Sequence, residues 1–172
     1  MVLIGLGSNQ GDSTEIVRAA IEEMRVFALE STLRSARLLQ TSPVDCPAES
    51  GDFINCAVIF EAKAGLTPEG LLAGLKSIER DFGRREKYIR NAPRELDLDL
   101  LLFGEELRDS AEFTLPHPRA LDRLFVLQPA AELLPNMLWP GTGKTIVQLL
   151  EQLKTDEKVQ ILEEIPPYYY AE

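Results

Sequence analysis

Two carboxylates separated by one residue lie in the most informative segment of the sequence. Asp97 and Asp99 interrupt the apolar run Leu96–Phe103, whose length and composition predict a strand. Side chains alternate between the faces of a strand, so the two carboxylates would lie side by side, with Cα atoms roughly 6.5–7 Å apart. Carboxylates this close repel each other, and Mg²⁺ between them would remove that repulsion and take phosphate oxygens as further ligands. The alternative is a half-exposed strand with an acidic solvent face.

A cluster of basic residues precedes this strand. Six of the 18 basic residues of a chain with net charge −10 fall between positions 80 and 94. They are Arg80, Arg84, Arg85, Lys87, Arg90 and Arg94. Guanidinium groups match phosphate oxygens in bidentate geometry, so the cluster predicts an anion site beside the carboxylates. The alternative is a solvated loop whose charges offset those of Glu79, Asp81 and Glu86.

The single histidine, His117, lies between two prolines that restrict the backbone on both sides. A rigidly held imidazole can donate to a phosphate or carry a proton, although a lone histidine is more often structural. Arg119 and Arg123 follow closely and favour an anionic ligand. Phe125 lies nearby in sequence and could stack on a flat ring.

The segment from Pro140 to Thr145 superficially resembles a phosphate-binding P-loop. That motif requires a glycine five residues before Gly143, where this sequence has Leu138. No strong apolar strand precedes the segment. We therefore predict a turn that leads into a helix.

Composition excludes several classes of protein. The net charge of −10 disfavours nucleic acid and anionic membranes as partners, and no apolar stretch approaches the roughly 18 residues of a membrane span. The start of the chain does not read as a signal peptide. Cys46 and Cys56 have neither metal-site nor redox spacing, which is typical of free thiols in a reducing compartment. We expect a cytoplasmic protein, a monomer or weak dimer.

Apolar periodicity and turn residues define the order of elements. The predicted elements are a strand from Val2 to Leu6, a helix beginning after Asp12 or Ser13, strands over Leu33–Thr41 and Phe53–Ala62, a helix beginning at Pro68 and ending at Gly83, and the strand over Leu96–Phe103. Short helices are expected around 120–133 and 145–153, and a short strand over Val159–Leu162. The strand, helix, strand, strand, helix, strand order predicts an α+β, ferredoxin-like fold whose mostly antiparallel sheet carries helices on one face. Residues 1–165 would form one domain and 166–172 a loose tail.

The motifs together resemble the 6-hydroxymethyl-7,8-dihydropterin pyrophosphokinase family. The segments that carry the resemblance are Gly7-Ser8-Asn9, Asp52-Phe53-Ile54-Asn55, Pro93-Arg94-Glu95-Leu96-Asp97-Leu98-Asp99 with Leu101-Leu102-Phe103-Gly104, and Pro116-His117-Pro118-Arg119. Their order and spacing match across roughly residues 2–150. The run from Pro93 to Gly104 followed by the histidine motif is the most specific part.

The resemblance implies a reaction and a set of site residues. Pyrophosphate would pass from ATP to the hydroxymethyl group of the pterin, releasing AMP, in folate biosynthesis. Asp97 and Asp99 would hold two Mg²⁺ ions. The triphosphate would contact Arg84, Arg94, His117 and Arg123, with Lys87 and Arg119 as further cationic candidates. The pterin would lie between Phe53 and Phe125, with Asn55 and the backbone from Thr41 to Val44 at its edge.

Two positions depart from the family pattern and leave rival functions open. Asn91 stands where many members have tryptophan, and Glu86 where some have a basic residue. One rival is a non-catalytic nucleotide-sensing module on the same fold, against which the retained Asp97 and Asp99 argue. The other is an RNA-binding ferredoxin-like domain, which would need exposed aromatic residues on a basic sheet face.

Overall fold

The computed structural model describes residues 1–9, 12–41, 53–83 and 96–162. The strands are β1 Val2–Ser8, β2 Arg34–Ser35, β3 Leu39–Thr41, β4 Phe53–Phe60, β5 Asp97–Phe103, β6 Arg108–Asp109, β7 Thr114–Leu115 and β8 Val159–Ile161. The helices are α1 Ser13–Glu23, α2 Pro68–Gly83, α3 Leu124–Leu133 and α4 Ile146–Gln152, with 3₁₀ turns at Met24–Phe27 and Ala120–Asp122.

The main sheet has the strand order β5-β1-β4-β3-β8, with β2 also paired to β4, and its pairs are antiparallel. Helix α1 connects β1 to β2, and α2 connects β4 to β5. This is the split βαβ arrangement expected from the sequence. The described part of the chain contains no helix long and apolar enough to cross a membrane.

Helices lie on both faces of the sheet, which corrects the expectation that they share one face. The Ser8 hydroxyl donates to the Ser13 hydroxyl at the start of α1, 3.2 Å away, so α1 lies on the face of the even-numbered side chains of β1. The N-terminal turn of α3 instead borders a cavity on the opposite face, which Phe125 lines together with Gly5 and Gly7. The sequence predicted short helices in this later part of the chain, but it did not predict that they would add a layer on the second face of the sheet.

Helix α1 and helix α2 begin where their capping residues predict. The Asp12 carboxylate accepts from the Glu15 backbone N–H, and the Thr67 hydroxyl accepts from that of Gly70. Proline occupies the first position of α2, where its missing N–H costs nothing. The apolar faces of the two helices are buried over β1, β4 and β5 and form the main core, whose helical members include Val17, Ile21, Leu71 and Leu75.

The segment from Pro140 to Thr145 forms the predicted turn and helix cap. Gly141 and Gly143 have φ of 82° and 68°, in the left-handed region that favours glycine. The Thr145 side chain accepts from the Gln148 backbone N–H, and the Gln148 side chain accepts from Thr145, a capping box at the start of α4.

The strand predicted over Leu33–Thr41 is interrupted. Ser35 pairs with Val58 of β4, and Leu39 pairs with Asn55. Three residues between Ser35 and Leu39 therefore face two residues of β4, so the segment from β2 to β3 contains one extra residue. An extra residue breaks the ladder and bends the chain, which divides the segment into β2 and β3. Apolar periodicity alone does not reveal such an insertion.

The helical segment predicted around 120–133 is also divided. Arg123 has extended backbone angles, with φ −122° and ψ 116°, and separates the 3₁₀ turn Ala120–Asp122 from α3. The β6–β7 hairpin was not predicted, because strands of two residues are too short to show a period.

Helix α2 contacts Phe27 through Gly74, and this contact makes a stability prediction. A Cβ at Gly74 would lie 2.5 Å from Cζ of Phe27 and 2.6 Å from its Cε1. Alanine normally stabilises a helix interior by about 0.5–1 kcal/mol over glycine. We expect Gly74→Ala instead to lower the free energy of unfolding by about 1 kcal/mol or more, because the Phe27 ring must move.

Urea denaturation of Gly74→Ala in two backgrounds provides the measurement. With Phe27→Leu already present, the ring is absent and Gly74→Ala should be neutral or stabilising. An equal loss of stability in both backgrounds would contradict the assigned contact.

Candidate active site

The register of three strands collects the predicted polar residues on one face of the sheet. Asp97 lies opposite Gly7, which lies opposite Asn55 on β4, and Asp99 lies opposite Gly5. Residues that are directly opposed in antiparallel strands point to the same face. The two carboxylates and the Asn55 amide therefore face the same space, separated by two residues without side chains.

The glycine at position 7 leaves the space that the Asn55 side chain occupies. A Cβ at Gly7 would lie 2.9 Å from Oδ1 of Asn55, closer than Cβ atoms normally approach another atom. On its other side the Asn55 amide donates through Nδ2 to the Thr41 hydroxyl, at 2.8 Å. Both residues are largely buried, and this hydrogen bond fixes the orientation of the amide.

A cavity of about 450 Å³ opens on this face of the sheet. Its described lining includes the predicted residues Thr41, Phe53, Asn55, Asp97, Asp99, Arg119, Arg123 and Phe125. Gly5, Gly7, Val126 and Glu157 also line it. Residues from β1, β3, β4, β5 and the start of α3 thus meet in one place, although they span most of the chain.

A β-bulge in β5 holds His117 beside the carboxylates. Leu3 of β1 pairs with Leu102, and the next residue, Ile4, pairs with Leu100. Leu101 is therefore the extra residue of the bulge. The Leu101 carbonyl accepts a hydrogen bond from the His117 backbone N–H, at 3.0 Å.

The surroundings of the His117 ring define its tautomer and charge. Nδ1 accepts from the Arg119 backbone N–H at 3.2 Å, so the neutral ring carries its hydrogen on Nε2, which lies 4.0 Å from Oδ1 of Asp99. Burial lowers the pKa of His117, Asp99 opposes this shift, and the Arg123 and Arg119 guanidinium groups add to it. The ring is therefore neutral at neutral pH and can donate from Nε2 without adding charge.

The cationic and aromatic residues before and within α3 lie together. The Arg123 guanidinium carbon lies 5.7 Å from the centroid of the Phe125 ring, within cation–π range. Arg119 is exposed at the cavity and Phe125 is half-buried. This end of the cavity therefore offers positive charge next to an aromatic surface.

The carboxylate pair fits a magnesium ion that is shared with a ligand. No group of three or more His, Cys, Asp or Glu side chains suited to a metal occurs in the described ranges. Mg²⁺ is usually bound by one or two carboxylates, water and substrate phosphates, which needs no larger protein cluster. The Asp99 side chain is 48% exposed, and the glycines opposite both carboxylates leave room for such ligands.

Several predicted residues lie outside the described ranges, namely Val44, Arg84, Lys87 and Arg94, together with the two departures Glu86 and Asn91. Conversely, sequence reasoning missed Gly5 as a spacer and Glu157 as a lining residue. The alternation of glycine with apolar residues in β1 could have indicated an open sheet face. Nothing local to Glu157 could have indicated its place.

Comparison with known proteins identifies the fold and the family of the chain. Two crystal structures, Plasmodium falciparum HPPK-DHPS and an HPPK-DHPS in complex with substrates, share the fold, with TM-scores of 0.62 and 0.65 at 12% and 11% identity. They align with 88% and 87% of this chain, which covers 43% and 42% of theirs.

Residues 3–135 match the model of the family described as 7,8-dihydro-6-hydroxymethylpterin-pyrophosphokinase (HPPK). The 2-amino-4-hydroxy-6-hydroxymethyldihydropteridine pyrophosphokinase of Synechocystis is 37% identical over 88% of this chain and 75% of its own length. The Bacillus subtilis protein of that name is 38% identical over 76% and 75%. A mitochondrial folate synthesis bifunctional protein of Pisum sativum is 41% identical over 77% of this chain, which covers 25% of it. The chain belongs to the HPPK family.

The contact between Gly7 and Asn55 predicts the effect of one methyl group. Gly7→Ala would push the buried Asn55 amide away from its position, so we expect a loss of about 1–3 kcal/mol in the free energy of unfolding. Gly5→Ala is the matched control, since its Cβ would meet Leu101 at an ordinary 3.4 Å. Urea denaturation should separate the two variants, and equal losses would contradict the assigned packing.

Proposed function

We propose that the cavity on the Asp97 face is where this chain performs the reaction of its family. That reaction is the ATP-dependent transfer of pyrophosphate to the hydroxymethyl group of 6-hydroxymethyl-7,8-dihydropterin, with release of AMP, in folate biosynthesis. One observation supports the proposal most directly. A single cavity is lined both by a carboxylate pair with nearby arginines and by a surface of aromatic and amide side chains.

The pterin would occupy the end of the cavity bounded by Phe53 and Phe125. Flat apolar walls suit a fused ring, and a few oriented polar groups give specificity. The Asn55 amide can offer its oxygen and its second amide hydrogen to the polar edge of the ring, because the Thr41 hydroxyl takes only one hydrogen of Nδ2. Backbone groups from Thr41 to Val44 remain the expected further contacts.

The triphosphate would occupy the end bounded by Asp97 and Asp99. These carboxylates would hold two Mg²⁺ ions, which when bound neutralise phosphate charge and polarise the phosphoryl oxygens. His117 can donate from Nε2 to a phosphate oxygen, and Arg119 and Arg123 supply positive charge. Arg84, Lys87 and Arg94 of the basic segment are expected to complete the anion site.

In the proposed reaction the pterin hydroxyl oxygen attacks the β-phosphorus of ATP and releases its proton to solvent water. The bond between the β-phosphorus and the bridging oxygen breaks, and that oxygen leaves as part of AMP with the bonding electron pair. The protein's part is to align attacker and leaving group and to stabilise charge. We expect no dedicated general base, because the neutral His117 is placed toward Asp99 and the nucleotide rather than the pterin end. The reaction is expected in the cytoplasm, by a monomer or weak dimer.

An assay for AMP tests the function directly. Purified protein with ATP, Mg²⁺ and the hydroxymethyldihydropterin should release AMP only when all three are present, and EDTA should stop the reaction until Mg²⁺ is restored. ATP binding without AMP release would favour the nucleotide-sensing alternative.

The roles proposed for the carboxylates make a quantitative prediction. Asp97→Asn and Asp99→Asn should each lower kcat/KM roughly a thousandfold, as expected for losing several kcal/mol of metal-dependent stabilisation. Asp109→Asn, an exposed carboxylate of the β6–β7 hairpin, is the matched control and should retain activity. Retention of activity by either site variant would contradict the metal assignment.

A further inference from the structure

The N-terminus of α3 is capped by a carboxylate from far along the chain. Oε2 of Glu157 accepts a hydrogen bond from the backbone N–H of Leu124, at 3.1 Å, across 33 residues of sequence. Leu124 is the first residue of α3, and Phe125, the proposed pterin-stacking residue, is the second. Glu157 also lines the cavity itself.

The helix supplies no cap of its own. The residue at its N-cap is Arg123, whose side chain cannot accept a hydrogen bond and makes no capping contact. The Val126 and Leu127 N–H groups both donate to the Arg123 carbonyl, which leaves the first N–H of the helix for Glu157. A carboxylate at a helix N-terminus is also favoured by the helix dipole.

The segment that carries Glu157 leads into a strand that pairs beside the site. Its backbone N–H donates to the Thr155 hydroxyl at 3.1 Å, and β8 begins two residues later. In β8, Val159 pairs with Thr41, the residue whose hydroxyl accepts from Asn55. The Glu157 segment therefore spans from the sheet side of the pterin end to the helix that carries the opposite wall.

We propose that Glu157 is a positioning residue for the pterin. It holds the first turn of α3, and with it Phe125, in place against the sheet. The inference rests on the proposed function and extends it to a residue beyond the segment 3–135 that matches the family model. Without the cap, the first turn of α3 would fray and the aromatic wall would lose its fixed position, whereas Asp97 and Asp99, which lie on β5, would keep theirs.

Substitutions at position 157 separate the hydrogen bond from the charge. Pterin affinity is measured by ligand fluorescence with a non-hydrolysable ATP analogue present, and analogue affinity separately. Glu157→Ala should raise Kd for the pterin about tenfold, as for a lost cap, and should raise it by more than Kd for the analogue, most of whose proposed partners lie outside α3. Glu157→Gln keeps an acceptor oxygen and should restore most of the affinity. Asp156→Ala, the exposed neighbouring carboxylate, should change neither constant.

A double-mutant cycle tests whether Glu157 acts through Phe125. In the Phe125→Ala background, Glu157→Ala should have no further effect on Kd for the pterin. If Glu157→Ala does not fold, Glu157→Asp decides, because its carboxylate is one methylene too short to reach Leu124 and should behave as the alanine variant is expected to. Additive effects, or unchanged pterin affinity, would overturn the inference. Wild-type protein that releases no AMP would instead refute the proposed function.

Discussion

The hydrogen-bond register of β5, β1 and β4 is the constraint on which the site depends. It places Asp97, Gly7 and Asn55 in one row across the sheet and Asp99 beside Gly5 in the next. A shift of one residue in either pairing would turn these side chains into the core. The register is held by the opposite face, where the leucines and isoleucines of the same strands are buried under α1 and α2. Burial of the apolar side chains on one face of the sheet therefore fixes which polar side chains lie next to each other on the opposite face.

The cavity changes in character from one end to the other. Asn55 is buried and hydrogen-bonded to Thr41, whereas Asp97 and Asp99 are only half-buried. A buried hydrogen bond is strong and directional because water cannot compete for it. Half-buried carboxylates keep water on their open side and can exchange it for other ligands. The geometry thus suits selective recognition of a rigid ring at one end and reversible binding of charged groups at the other.

The sequence was sufficient for the parts of the site that follow from local periodicity. Alternation in β5 predicted the shared face of Asp97 and Asp99, and Phe53, Asn55 and Phe125, which the family resemblance assigned to one ring, line one cavity. Their roles stay predictions. The sequence was insufficient where one residue is inserted without a change in composition, as at Leu101 and between β2 and β3. It was also insufficient for Glu157, because its partner Leu124 is a backbone group and leaves no trace in residue type. The segment around Arg84, Lys87 and Arg94 stays a prediction.

The extra residue in β5 also bears on how this strand can change in evolution. With Leu101 deleted, Leu100 could still pair with Ile4 and Leu102 with Leu3. Every pair that the structure shows between β5 and β1 would therefore be preserved. The sheet alone would therefore tolerate a shorter strand. The carbonyl that anchors the His117 backbone would disappear with the deleted residue. The length of β5 therefore matters more for the position of His117 than for the pairing of the sheet.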